Sequence, residues 1–136
     1  MTVFVLDSTA VLRFMDRETG WERVAAILTA KMEQKTEVAI PAVQWGEIAG
    51  AVEKRLGAEG RDRALGLLAR FHPTIVAADG VRAARAAAIK LERRIPYAHA
   101  FALNAAMDSP EHVLVTADYA FKRVDDLARI EFLPVH

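Results

Sequence analysis

The chain has 136 residues and no cysteine, and its 18 Lys and Arg balance 18 Asp and Glu for a formal net charge of 0. That length suits one domain, needing neither a disulfide nor a structural metal to fold. The missing thiols exclude thiolate zinc sites and cysteine nucleophiles. No apolar run approaches the roughly 20 residues that span a bilayer. The opening MTVFVLDST lacks the basic region and cleavage site of a signal peptide. The expected compartment is the cytoplasm, with no membrane partner. A balanced charge sets up no global field for a polyanion, so a nucleic acid would have to meet a local patch. The arginines between Arg61 and Arg94 read mostly as decoration of solvated helix faces.

Taken in order, Thr2 to Leu6 (TVFVL) is a β-rich apolar run of buried-strand length. Asp7, Ser8 and Thr9 follow, each able to cap the helix suggested by AVLRFM. Trp21 to Met32 carries apolar residues at helical spacing. Glu37 to Ile40 is a second strand, ended by Pro41, which suits the first turn of a helix over Ala42 to Leu56 that stops at Gly57. Arg61 to Phe71 is a further helix, and Pro73 to Ala77 a third strand. Asp79 is placed to cap an Ala-rich helix reaching about Arg93. Pro96 breaks the chain, and Ala98 to Met107 resumes as a helix. Val113 to Thr116 is a fourth strand and Ile130 to Leu133 the last. Short apolar strands alternating with helices predict a mostly parallel, twisted sheet of about five strands, flanked by helices on both faces in one α/β domain, residues 1–136.

Ligands of open α/β sheets bind beyond the carboxyl ends of the strands. Two strands run into acids there: VFVLD ends at Asp7 and VLVTAD at Asp118. Two carboxylates on one edge repel unless a cation lies between them, and hard ions such as Mg²⁺ or Mn²⁺ take oxygen ligands. The plain alternatives are a helix N-cap for Asp7 and a turn former for Asp118. Glu47 falls opposite the apolar stripe Trp45, Ile48, Val52 and Leu56, where spacing alone makes it a solvated glutamate. No GxxxxGK[ST] is present, which removes a P-loop nucleotide site. His72, His112 and His136 have no nucleophile and acid at suggestive positions.

Together, FVLDSTAVLRFM, AIPAVQWGEIAGAV, IPYAHAFALNAAM and VLVTADYAFKRV resemble the PIN domain, and within it the VapC-type toxins of bacterial and archaeal toxin–antitoxin pairs. The resemblance runs end to end, with the terminal motifs the more specific. It implies a metal-dependent endoribonuclease that hydrolyses RNA phosphodiester bonds with Mg²⁺ or Mn²⁺, forms a homodimer and pairs with a small cognate antitoxin. By that comparison Asp7, Glu47 and Asp118 are catalytic and metal-binding, Ser8 and Thr116 support them, and Phe121 packs. One position departs from the pattern: His99 stands where the family usually has an aspartate. An imidazole there suits Mn²⁺ better than Mg²⁺; the alternative is a weakened or inactive PIN module that binds RNA or a protein partner. Asn104 lies off the helical face of His99 and does not replace the missing acid.

Overall fold

The computed structural model describes residues 1–135, so His136 lies outside it. Its elements are β1 (Val3–Leu6), α1 (Ser8–Asp16), α2 (Trp21–Met32), β2 (Glu37–Pro41), α3 (Ala42–Ala69), β3 (Thr74–Val76), α4 (Gly80–Arg93), α5 (Tyr97–Ala106), β4 (His112–Thr116), a 3-10 helix (Tyr119–Val124) and β5 (Arg129–Phe132). All five strands are parallel, in the order β3-β2-β1-β4-β5.

That order follows from pattern and handedness. Successive strand residues point to opposite faces, and here both faces are apolar. Leu6, Val38, Ile40 and Val115 pack with α1, α2 and α3 on one side. Val5, Ala39 and Leu114 pack with α4, α5 and Phe121 of the 3-10 helix on the other. Right-handed crossovers that step from β1 outward to β3 keep their helices on one face. When the chain returns to lay β4 on the other side of β1, the same handedness puts α4 and α5 on the opposite face. The reversal leaves a crevice between the carboxyl ends of β1 and β4, the topological switch point where ligands of such sheets bind.

The expected elements appear, with three differences. The helix predicted to stop at Gly57 does leave helical geometry there, with Gly57 at φ 76° and ψ −179°, but the second helix, expected from Arg61, follows that bend directly and ends at Ala69. An L side chain is strained at that φ, so the bend depends on glycine. Leu56, expected in the buried stripe, stands beside that bend and is 63% exposed. The turn after Asp118 is a 3-10 helix that the sequence reading did not anticipate. Asp79 caps α4 as expected, accepting from the Arg82 N–H at 2.9 Å. Among the described residues, no helix is long and apolar enough to cross a membrane.

Candidate active site

Asp7 sits one residue beyond β1 and caps α1, so its side chain is held over the switch point. Its Oδ1 accepts from the Ala10 N–H at 2.9 Å and from the Thr9 hydroxyl at 2.7 Å; its Oδ2 accepts from the Thr116 hydroxyl at 2.5 Å. Both hydroxyls also accept in turn, Thr9 from the Ala117 N–H and Thr116 from the Asp118 N–H, each at 2.9 Å. Asp7 therefore ties the end of β1 to the end of β4 through two hydroxyl relays. The group is 3% exposed. Burial raises its pKa above the ordinary carboxylate value, against the lowering effect of its bonds to Thr116, Ala10 and Thr9 and of the nearby His99.

Asp118 is built differently. It lies just past β4, caps the 3-10 helix and is only partly buried; its Oδ1 accepts from the Ala120 N–H at 2.9 Å. Its Oδ2 lies 2.7 Å from Nε2 of His99, on the first turn of α5. Burial pushes its pKa up, but the Ala120 N–H and the hydrogen bond and charge of His99 outweigh it, leaving the pKa lowered. The imidazole is steadied by Phe121, whose ring centroid is 4.7 Å away at an interplanar angle of 32°. Phe121 is buried and packs, as expected.

Glu47 projects from α3 into the same crevice, where its Oε1 accepts from the Ser8 hydroxyl at 3.1 Å. Ser8 also donates its N–H to Oε1 of Gln44 at 3.0 Å, while Gln44 Nε2 donates to the Ala98 carbonyl at 2.8 Å. Gln44 is buried and links the residue after Asp7 to the residue before His99. The sequence reading missed it, and missed Thr9 except as a cap. A clue for Gln44 was available, since it lies one helical turn before Glu47 and shares its face. Asn104 is buried away from the acids, accepting from Arg82 at 2.8 Å.

Asp7, Ser8, Thr9, Gln44, Glu47, His99, Asp118 and Phe121 line one cavity of about 200 Å³. Three carboxylates and one imidazole match the donors a hard or borderline divalent ion takes. Among the described residues, however, no three His, Asp or Glu side chains converge closely enough to form a metal-binding group as they stand. Each acid is engaged within the chain: both Asp7 oxygens accept internal hydrogen bonds, Asp118 is shared between Ala120 and His99, and Glu47 accepts from Ser8. The donors fit an ion in kind, and binding one would exchange some of these hydrogen bonds for metal ligation.

Residues 4–127 match the PIN domain family, and the chain belongs to that family. Its fold is similar to a chain of VapBC2 from Rickettsia felis, solved bound to a DNA fragment from their promoter, at TM-score 0.74 and 15% identity over 98% of this chain and 100% of that chain. It is also similar to a chain of VapBC-1 from nontypeable Haemophilus influenzae (TM-score 0.67, 16% identity, 96% and 98% covered). A third likeness is to a chain of FitAcB from Neisseria gonorrhoeae (TM-score 0.64, 21% identity, 98% and 99% covered). Comparison with curated proteins finds no match.

Proposed function

We propose that the chain is a divalent-metal-dependent endoribonuclease, the toxin of a toxin–antitoxin pair that acts on cytoplasmic RNA. The observation that carries the reading is that Asp7 and Asp118, at the ends of β1 and β4, and Glu47 and His99, on α3 and α5, line one cavity at the switch point. Asp7, Glu47 and Asp118 would hold Mg²⁺ or Mn²⁺, with His99 beside them. A bound ion would supply an acidified water and offset charge building on the phosphate oxygens. The chain's own residues do the positioning. The Thr9 and Thr116 relays hold Asp7 against the end of β4, and Gln44 fixes the start of α1 against the start of α5. Phe121 holds the imidazole plane. The name VapBC on two of the similar structures supports a small antitoxin as partner here, and we extend the proposal to a homodimer.

A non-catalytic PIN module is the second reading, favoured by the 2.7 Å contact of His99 with Asp118 and by the three internal hydrogen bonds that Asp7 accepts. One experiment separates the two: cleavage of single-stranded RNA with Mg²⁺ or Mn²⁺ by wild type and Asp118→Asn. Metal-dependent cleavage that disappears in the variant supports the nuclease; no cleavage with either ion supports the silent module. Sedimentation at micromolar concentration should report a dimer, and a strict monomer would remove that part of the proposal.

A further inference from the structure

Beside the carboxylate cavity, and sharing Thr9 and Asp118 with it, lies a wider groove of about 580 Å³. Its charges disfavour a phosphate. Arg13 already donates to the Thr19 carbonyl at 2.9 Å and lies 3.9 Å from Glu18, while Asp16 accepts from Arg55 at 2.9 Å. The groove thus presents acids beside an engaged cation. Its apolar lining comes from Leu12, Ala117 and Val135, together with Tyr119. A flat uncharged group with apolar faces and a polar edge matches that chemistry, and a nucleobase is such a group.

Tyr119 is the feature that points to stacking. The residue is 39% exposed, yet its side chain is fixed: the hydroxyl donates to the Leu133 carbonyl at 2.8 Å, and the ring lies 5.1 Å from that of Phe132, tilted by 39°. Lys122 Nζ adds a cation 5.7 Å from the Tyr119 centroid and 4.5 Å from that of Phe132. An exposed aromatic ring anchored at its hydroxyl and packed on Phe132, next to the carboxylates of the cavity, is a preformed platform that loses little rotamer freedom when a base lands on it. Resting on the ribonuclease reading, we propose that this groove is the subsite for one base of the RNA strand adjoining the scissile phosphate, stacked on Tyr119.

The test is steady-state cleavage in Mn²⁺ of a mixed-sequence single-stranded RNA, compared with copies carrying one abasic position near the mapped cut. Stacking of a base on an aromatic side chain is sequence-tolerant and its loss is substantial. Tyr119→Leu should therefore raise KM roughly fivefold to a hundredfold with kcat little changed, while Tyr119→Phe, which keeps the ring but loses its anchor on the Leu133 carbonyl, should raise it less than Tyr119→Leu does. An abasic position next to the cut should impose a similar loss on wild type and little further loss on Tyr119→Leu, the mark of two groups in one contact. A folded Tyr119→Leu with wild-type KM, or losses that simply add, overturns the subsite and leaves the nuclease standing. If Tyr119→Leu does not fold, the abasic series on wild type decides, and no dependence on any single base overturns it. A wild type that cuts no RNA takes down the ribonuclease reading and this inference together.

Discussion

The ends of β1 and β4 carry the same residue in the same local role and differ in nearly everything else. Asp7 and Asp118 each follow a buried parallel strand and each caps the helix that comes next. Asp7 is 3% exposed, spends both oxygens on internal donors and has a raised pKa. Asp118 is partly open, shares an oxygen with His99 and has a lowered pKa. One acid is built into the frame, and the other is presented on it. An N-cap is therefore no argument against a functional role, since both carboxylates cap, and the second meets a ligand at a smaller cost in internal hydrogen bonds than the first.

The largest effect expected is on chemistry. Replacing an ion's direct ligand should cost at least as much as disturbing its outer support, so Asp118→Asn should lower metal-dependent RNA cleavage on the order of a hundredfold or more. Cleavage unchanged in that variant would mean that the open acid is only a cap. Stability should show the reverse ranking. Asp7→Ala leaves two buried hydroxyl relays and the Ala10 N–H without their acceptor. An unsatisfied buried group costs about 1–3 kcal/mol and a lost cap about 1. Urea unfolding should therefore show a loss of roughly 2–4 kcal/mol for Asp7→Ala and about 1 kcal/mol or less for Asp118→Ala. Equal losses would erase the distinction between frame and presented group.

His99 offers an intermediate effect. Asp in its place puts an anionic oxygen beside the ion where a nitrogen stood, an exchange worth on the order of 1–3 kcal/mol, or roughly tenfold to a hundredfold in affinity. His99→Asp should therefore strengthen Mg²⁺ binding and Mg²⁺-dependent cleavage in calorimetry and activity assays. No gain with either Mg²⁺ or Mn²⁺, together with an inactive wild type, would leave the silent PIN module. The smallest effect is in pH dependence. A raised native pKa means that Asp7 contributes stability below its unfolded value, and this contribution is lost as pH rises through the folded value. For Asp118, with its lowered pKa, stability is present above the unfolded value and is lost as pH falls through the folded one. Denaturation of Asp7→Asn and Asp118→Asn across the acid range should thus give differences from wild type with opposite slopes.

Much of the fold was legible in local pattern. Apolar runs marked all five strands, Pro41, Gly57 and Pro96 punctuated the helices, and the acids at the ends of β1 and β4 stood out because each closes such a run. The pairing of those acids across the switch point follows from strand order, which a single sequence states only indirectly. Gln44 was passed over although it shares a helix face with Glu47, because its partners, Ser8 and Ala98, lie 36 and 54 residues away and a polar helical residue reads locally as solvated. The contact of His99 with Asp118 spans 19 residues and two elements. Leu56 misled because helical periodicity counts it with Ile48 and Val52, whereas it stands at the end of the first helical stretch, beside the bend at Gly57, and is exposed.

Thermal unfolding under Mn²⁺ titration tests most directly whether the edge acids form a metal centre. An ion that binds only the folded chain stabilises it by about 2.7 kcal/mol at a hundred times its Kd. Wild type should show a Tm that climbs steadily with Mn²⁺ through the micromolar to millimolar range, while Asp118→Asn and Asp7→Asn show none of that climb. A wild-type Tm that stays flat across the whole range, or one that climbs equally in both variants, would contradict a metal centre built on Asp7 and Asp118.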